Sequence, residues 1–413
     1  MSDPVQAQYE AYPYPPRDPR DEAKRLILGS PSHLAELDHY VFGGSLDLTR
    51  PFRALVAGGG TGDAAIMLAQ QLAWTGAGEA EVVYLDMSRA ARAIAEARAA
   101  RRGLSNIRFV TGSLLELDAL DLGTFDYIDC CGVLHHLPDP AAGLAALTRA
   151  LAPHGGMGLM LYGALGRTGV YHVQAMLNAI APPTADPAAR LQLARRLVAQ
   201  LPATNWLKRN PFVTDHIVEG DAGLYDLLLH ARDRAYTVEE IGALLDGAGL
   251  RLESFVPPAR YEPASYISDA ALLKRIQDLP PLARAAFAER LAGNIKAHVF
   301  YAVRAENPVT APRPDTPDLV PVLFDASPEQ LARGLKPGGM LTVSAEGLSL
   351  RFPLPRLAPA ICGLIDGTRT LDEIRAALAT KAGPLDWPAF AAEFASLFAA
   401  LNGSGKLFLR RRR

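Results

Sequence analysis

The chain holds three cysteines in 413 residues, Cys130, Cys131 and Cys362. That rules out a disulfide framework, and their spacing fits no metal-ligand pattern; no metal is expected. Cys130 and Cys131 are adjacent in an apolar run and read as buried small hydrophobes rather than redox groups. No stretch reaches about 18 uninterrupted apolar residues, so no transmembrane helix is expected. The opening Met1-Ser2-Asp3-Pro4-Val5-Gln6 lacks the basic and apolar regions of a secretory signal, and the cytoplasm is the expected location. Neither charge sign dominates, because 42 Lys and Arg face 44 Asp and Glu for a net charge of -2. With no global field, nucleic acid and anionic membrane are not expected partners. A homo-oligomer stays open. The length allows two or three domains, each with its own core.

What the chain does have is a glycine cluster at residues 54–63, Ala-Leu-Val-Ala-Gly-Gly-Gly-Thr-Gly-Asp. Ala54 to Ala57 form a short apolar run of the kind that a strand covered on both faces needs. Gly58, Gly59, Gly60 and Gly62 follow, and then Ala64-Ala65-Ile66-Met67-Leu68-Ala69 has a helical pattern. Glycine serves where a turn needs positive φ or a ligand must approach bare backbone. A helix starting there offers free N–H groups and the positive end of its dipole. This stretch is expected to bind a nucleotide-type cofactor.

The rest of the first 305 residues supplies a sheet around it. Helix 63–74 precedes a strand at Val82–Asp86. Ser88 is placed to cap a helix from Arg89 to Arg102 that stops at Gly103. Strands follow at 107–110, 125–131 and 158–162, with a helix over 140–151 between the last two. Strand–helix alternation predicts a doubly wound parallel sheet, with ligands at the carboxyl ends of the strands. The glycine turn, Asp86, Ser113 and Gly132 all fall there. Residues 163–235 interrupt the alternation and read as an inserted helical cap. Thr237 to Glu240 form a capping box, and strands at 252–256 and 297–303 complete the sheet.

Ahead of this, residues 9–20 contain Pro13, Pro15 and Pro16 and are expected to be non-helical. They carry Tyr9, Tyr12 and Tyr14, either as a lid across a pocket or as an arm packed on the surface. Residues 31–42 read as a capped helix. Residues 307–321 hold five prolines and read as a stiff linker. A unit of about ninety residues follows, large enough for its own core. It is expected to have a hairpin about Glu346-Gly347, helices at 357–365 and 371–379, and a basic tail. The domain plan is thus an arm or lid at 1–50, the sheet domain at 51–305 with its cap at 163–235, a linker at 306–322, and a small α+β winged-helix-like domain at 323–413.

The cofactor class follows from spacing. A dinucleotide fingerprint needs Gly-x-Gly-x-x-Gly, but the sixth position from Gly58 is Asp63, and a carboxylate repels phosphate at close range. Gly-x-Gly-x-Gly followed by an acid suits a cofactor with a cationic centre and an amino-acid tail. Asp86 can accept hydrogen bonds from both hydroxyls of a ribose. Over roughly residues 50–305, on Val56 to Gly62, Tyr84-Leu85-Asp86, Phe125 to Ile128 and Gly132 to Asp139, the chain resembles the class I S-adenosylmethionine-dependent methyltransferases. Their fold is a Rossmann-like seven-stranded doubly wound sheet. The resemblance implies S-adenosyl-L-methionine as cofactor, with Gly58, Gly60 and Gly62 at its methionine part, Asp86 at the ribose and Met87 on the adenine. Gly112, Ser113, Gly132 and Val133 complete that site. Two positions depart from the family. Val56 stands where an acid is usual before the first glycine, with Asp63 a candidate substitute, and Ser113 stands where an acid usually meets the adenine. The tyrosine–proline arm and residues 227–236 are also similar to bacterial protein-lysine methyltransferases, which append a winged-helix-like domain.

Methyl transfer to an amine needs the amine unprotonated, through burial or a nearby base. Candidates are Tyr12, Tyr14, His135, His136, Tyr171, His172, Asp215, His216, Tyr225 and His230. His136, Tyr225 and His230 are the expected catalytic set, and Asp226, His230 and Asp233 are expected to share one helix face. The expected reaction is methyl transfer to an N or O nucleophile, with a protein lysine ahead of a small metabolite. The alternative is a cofactor-sensing binding module acting through the carboxyl-terminal domain.

Overall fold

The computed structural model describes residues 4–345 and 347–412; Glu346 of the expected hairpin turn and Arg413 of the expected tail lie outside them. Seven strands form the central sheet: β1 (Phe52–Ala57), β2 (Ala80–Asp86), β3 (Ile107–Thr111), β4 (Phe125–Cys131), β5 (Leu151–Tyr162), β6 (Leu250–Val256) and β7 (Ala297–Arg304). Their order is β3-β2-β1-β4-β5-β7-β6. The first five run parallel, whereas β7 is antiparallel to both β5 and β6. The expected doubly wound sheet is present, with β7, between β5 and β6, running against its neighbours.

The apolar runs become strands because both faces of the sheet are covered. Leu55, Val83, Leu85, Ile128 and Cys130 point into one core layer, and Ala54, Val56, Val82, Tyr84 and Tyr127 into the other. The helices Asp63–Trp74, Arg89–Arg102 and Pro140–Ala150 lie where expected, and Ser88 and Gly103 close the ends of the second. The capping box at Thr237 and Glu240 is present.

The segment before the sheet departs from expectation. Pro4–Ala11 is helical, and the chain becomes irregular only as Pro13, Pro15 and Pro16 approach. The expected helix over 31–42 is shorter and begins after His33 as one α turn followed by a π turn. Here Glu36 is buried and accepts hydrogen bonds from Ser30 Oγ (2.6 Å) and Tyr301 Oη (2.7 Å).

Between Tyr162 and Tyr236 the cap packs the helices Val170–Ile180, Pro187–Gln200 and Gly220–Leu229 around a core of its own. In the carboxyl-terminal part, Met340–Ala345 and Leu348–Pro353 form the hairpin, and Leu371–Ala382 is helical. The proline-rich stretch contains a strand, Leu319–Leu323, which pairs antiparallel with Leu407–Arg411. The first two terminal arginines are thus strand rather than tail. Trp387–Gly403 is a helix that places Phe390, Phe394, Leu397 and Leu401 in the small core. This unit meets the sheet domain through His39, whose ring hydrogen-bonds the Leu409 main chain, and through Asn402, which donates to Tyr40 Oη (3.1 Å). No helix among the described residues is long and apolar enough to cross a membrane.

Burial pushes the Glu36 carboxyl from 4.5 up to about 7, against the pull of its two hydroxyl donors. The folded chain therefore holds a proton that the unfolded chain has already released, and stability falls as pH rises from the unfolded value through the folded one. At about 1.4 kcal/mol per pKa unit the loss is roughly 3 kcal/mol. Thermal melts should show the wild type losing stability between about pH 5 and pH 8, and Glu36→Gln losing markedly less. An equal loss in both contradicts this assignment.

Candidate active site

A cavity of about 490 Å³ opens at the carboxyl ends of β1, β2 and β4. The glycine loop forms its floor. Gly58 and Gly59 donate backbone N–H groups to Leu85 O, at 2.7 and 3.0 Å, which binds the loop to the end of β2. Gly58 has φ 83°, and a side chain there would run into Val133. Gly60, at φ 50°, lies with its missing Cβ 3.1 Å from Tyr14 O. Gly62 takes φ 104° as the residue before the Asp63–Trp74 helix and packs on Ala95; it does not line the cavity.

Asp86 lies at the end of β2. One carboxylate oxygen accepts the Gly60 N–H (2.7 Å) and the other the Ser88 N–H (2.8 Å). Burial raises its pKa, against those donors. Each oxygen keeps a free lone pair for an incoming hydroxyl. Met87, Gly112, Ser113, Gly132 and Val133 complete this wall. Ser113 Oγ accepts the Leu115 N–H (3.2 Å) and so caps the turn that follows.

The amino-terminal arm forms a further wall, with Val5, Tyr9, Tyr14, Pro15 and Arg17 facing the cavity. It is fastened along its length. Gln6 donates to Met87 O (3.1 Å), Glu10 accepts the Arg89 N–H (2.6 Å), and Thr61 Oγ1 donates to Pro15 O (2.8 Å). Arg17 pairs with Asp63 at 2.6 Å, and Asp63 also pairs with buried Arg98 at 2.6 Å. Burial opposes ionisation of Asp63, but the two guanidinium groups outweigh it and hold its pKa low. Asp63 thus lines the cavity with both guanidinium groups on its carboxylate.

Opposite the glycine loop the wall is formed by Tyr9, Tyr14, His136, Tyr162, Glu219 and Arg232. Tyr14 Oη donates to Glu219 at 2.6 Å. His136 and His230 stack with ring centroids 3.7 Å apart. The Arg232 main chain assigns both tautomers. Its carbonyl can only accept, so His136 Nδ1, 2.8 Å away, carries the proton and Nε2 keeps a lone pair. Its N–H donates to His230 Nδ1 (3.1 Å), which leaves the His230 proton on Nε2, 3.2 Å from Tyr9 Oη. Burial keeps both rings neutral, pushing His136 down to about 4 and His230 well below its usual value. Tyr9 Oη in turn donates to Asp226 (3.2 Å), whose carboxyl burial lifts to about 7. Ligand atoms of His136, Asp226 and His230 lie within 4.8 Å of one another. A metal, however, would need the Nε2 lone pair that His230 lacks in this tautomer.

The structure thus brings His136 and His230 together, with only His136 facing the cavity. Tyr225 lies in the cap core, stacked on Tyr12 at 5.1 Å. Asp233 lies beyond the helix end at Leu229 and pairs with Arg167 (2.9 Å), so the expected shared face stops at His230. Tyr171 joins that Arg167–Asp233 pair, and His135 stacks on Tyr162 at 3.9 Å. Tyr162, Glu219, Arg232 and Asp129 were missed as cavity residues. Asp129, an acid in the middle of an apolar strand, was the one local signal for them.

Comparison with known proteins agrees with this geometry. A methyltransferase-domain family matches residues 55–157. A protein of Synechococcus sp. described as uncharacterized is 30% identical over 310 residues, covering 74% of this chain and 72% of that one. The ubiquinone/menaquinone biosynthesis C-methyltransferase UbiE of Methylobacterium nodulans is 36% identical over 107 residues, 26% of this chain and 40% of its own. Among solved structures, PKMT2 from Rickettsia typhi superposes with a TM-score of 0.65 at 15% identity, over 92% of this chain and 75% of that chain. Its complex with AdoHcy gives 0.63 at 14% identity, over 92% and 76%. These last two speak for a shared fold, and the domain match falls on the strands that build the cavity. These findings support an S-adenosylmethionine-dependent methyltransferase, with residues 55–157 as its methyltransferase domain.

Proposed function

We propose that the chain transfers a methyl group from S-adenosylmethionine to an amine nitrogen that enters between the arm and the cap, and that this amine is a protein lysine. The cavity fits the cofactor chemically. Gly58 and Gly60 leave bare backbone where its methionine part would lie, Asp86 has lone pairs for two ribose hydroxyls, and Met87 offers an apolar surface for the adenine. When bound, the cofactor supplies a methyl on a sulfonium, so that the leaving group departs as a neutral thioether.

The observation that carries the acceptor class is Glu219, a carboxylate at the cavity wall that accepts a hydrogen bond from Tyr14 Oη. A carboxylate in a cavity that tyrosines also line attracts a cationic amine, partly through the ring faces. Enclosure there disfavours the charged form of the amine and so exposes its lone pair. As the nitrogen–carbon bond forms and the carbon–sulfur bond breaks, the nitrogen gains positive charge and then loses a proton. His136 Nε2 offers a lone pair that orients the amine N–H, while His230 holds the His136 ring by stacking, and the released proton leaves to solvent. Positioning supplies much of the rate in such an in-line displacement. Ile217 and Val218, adjacent to Glu219, are 70% and 69% exposed and form an apolar rim suited to a polypeptide around the lysine. A small-metabolite amine is the second reading, favoured by the several hydrogen bonds that close the arm over the cavity.

Isothermal titration should show S-adenosylmethionine binding to the wild type and at least about tenfold weaker binding by Asp86→Ala, since two hydrogen bonds of about 1 kcal/mol each are lost. No binding by the wild type, or equal binding by both, contradicts the cofactor assignment. With methyl-labelled cofactor and cell lysate, label should appear in the protein fraction. Glu219→Gln should lower that labelling about tenfold, the size expected for a hydrogen bond to a charged group, without changing cofactor affinity. Label confined to small molecules rejects the lysine reading and selects the metabolite, and a variant with full activity removes Glu219 from acceptor recognition.

A further inference from the structure

Asp129 is a buried acid with no basic partner among the described residues. It lies in β4, in register with Val56 on β1, so the two side chains lie on the same face of the sheet. Its residue is 2% exposed, and that small exposed part faces the cavity beside Val56, Gly58 and Gly132. Its side-chain donors are the Ser32 hydroxyl (2.5 Å) and the Cys131 thiol (3.6 Å), both on Oδ2. No Lys, Arg or His side chain pairs with it among the described residues. The basic groups closest to the glycine loop, Arg17 and Arg98, are engaged by Asp63 and Glu22.

An ionised carboxylate withdrawn from water costs several kcal/mol unless a cation or enough donors meet it. Here burial lifts the carboxyl from 3.8 to about 6, with only the hydroxyl, the thiol and backbone opposing it. A folding argument does not account for such a group, because an apolar residue in register with Val56 would pack in the same layer without this cost. A cationic ligand entering the cavity does account for it.

We propose that Asp129 is the anionic site for the α-ammonium group of the cofactor's amino-acid tail, supplying from the fourth strand the carboxylate that the first strand lacks at Val56. The inference rests on the cofactor assignment above. The ammonium is favoured over the sulfonium because it has N–H groups to donate, and a charge-assisted hydrogen bond gains more in a dry site than an undirected charge contact. Ser32, held by Tyr127 Oη (2.9 Å) and Tyr301 Oη (3.1 Å), fixes the carboxylate from behind and leaves its cavity side for the ligand.

The test uses two ligands that share the adenosine half. S-adenosylhomocysteine keeps the α-ammonium and has no sulfonium; 5′-methylthioadenosine has neither the ammonium nor the tail carboxylate. Titration calorimetry of the full chain should show Asp129→Asn binding S-adenosylhomocysteine at least about tenfold more weakly than wild type, the loss of one charge-assisted hydrogen bond, and 5′-methylthioadenosine with unchanged affinity. Unchanged binding of both ligands overturns the proposal, and so does an equal loss of both, which marks Asp129 as structural. Wild-type chain that binds neither ligand overturns the cofactor assignment itself, and is thereby distinguished from a failure of Asp129 alone.

Discussion

The ion-pair chain Arg17–Asp63–Arg98–Glu22 is what the cavity depends on. Arg98 and Glu22 are withdrawn from solvent and pair at 2.6 Å, and Arg102 reinforces Glu22 from the next helical turn. Buried pairs of this kind add little net stability, but removing one partner is costly because it strands the other. The arrangement therefore acts as a specification of geometry. It fixes the arm to the first residue of the helix that follows the glycine loop, and so places Tyr9, Tyr14 and Pro15 over the loop. Without it the glycine floor would be an open surface, and the tyrosine wall opposite would lack two of its members.

The second constraint is the Arg232 main chain. One peptide N–H and one carbonyl, belonging to a residue just past a helix end, fix opposite tautomers on two stacked histidines. The result is one ring with a lone pair and one with a proton, both kept neutral by burial. The same segment carries Arg232 to the cavity wall. The cap and the sheet thus contribute to a single surface, because His136 comes from the loop after β4 and His230 from the insertion.

The sheet was legible because its signals are local. Apolar runs, the glycine cluster, Ser88 and Gly103 at the ends of one helix, and the capping box at Thr237 each state their structure within a few residues. The reversed β7 was not legible, since strand direction is decided by long-range pairing with β5 and β6. The Pro4–Ala11 helix was hidden by the prolines that end it. In the site, Gly58, Gly60 and Asp86 could be named from spacing, and His136 from the family resemblance. The partners of Asp63 could not be read, since Arg17 and Arg98 come from elements on either side of it in the chain. Tyr225 was misplaced because helical spacing fixes a face without saying what that face meets, and here it meets the cap core. Glu219 acquires meaning only when cap and arm are assembled, whereas Asp129 stands out locally as an acid in an apolar strand.

The central claim is that the glycine loop, the arm and the cap enclose one site in which cofactor and amine meet. A crystal structure of the chain with S-adenosylhomocysteine tests it most directly. The expected result is a ribose on the Asp86 carboxylate and the thioether sulfur facing the Tyr162–His136–Glu219 wall, with Arg17 still paired to Asp63. Ligand bound elsewhere, or a sulfur turned away from that wall, would contradict it.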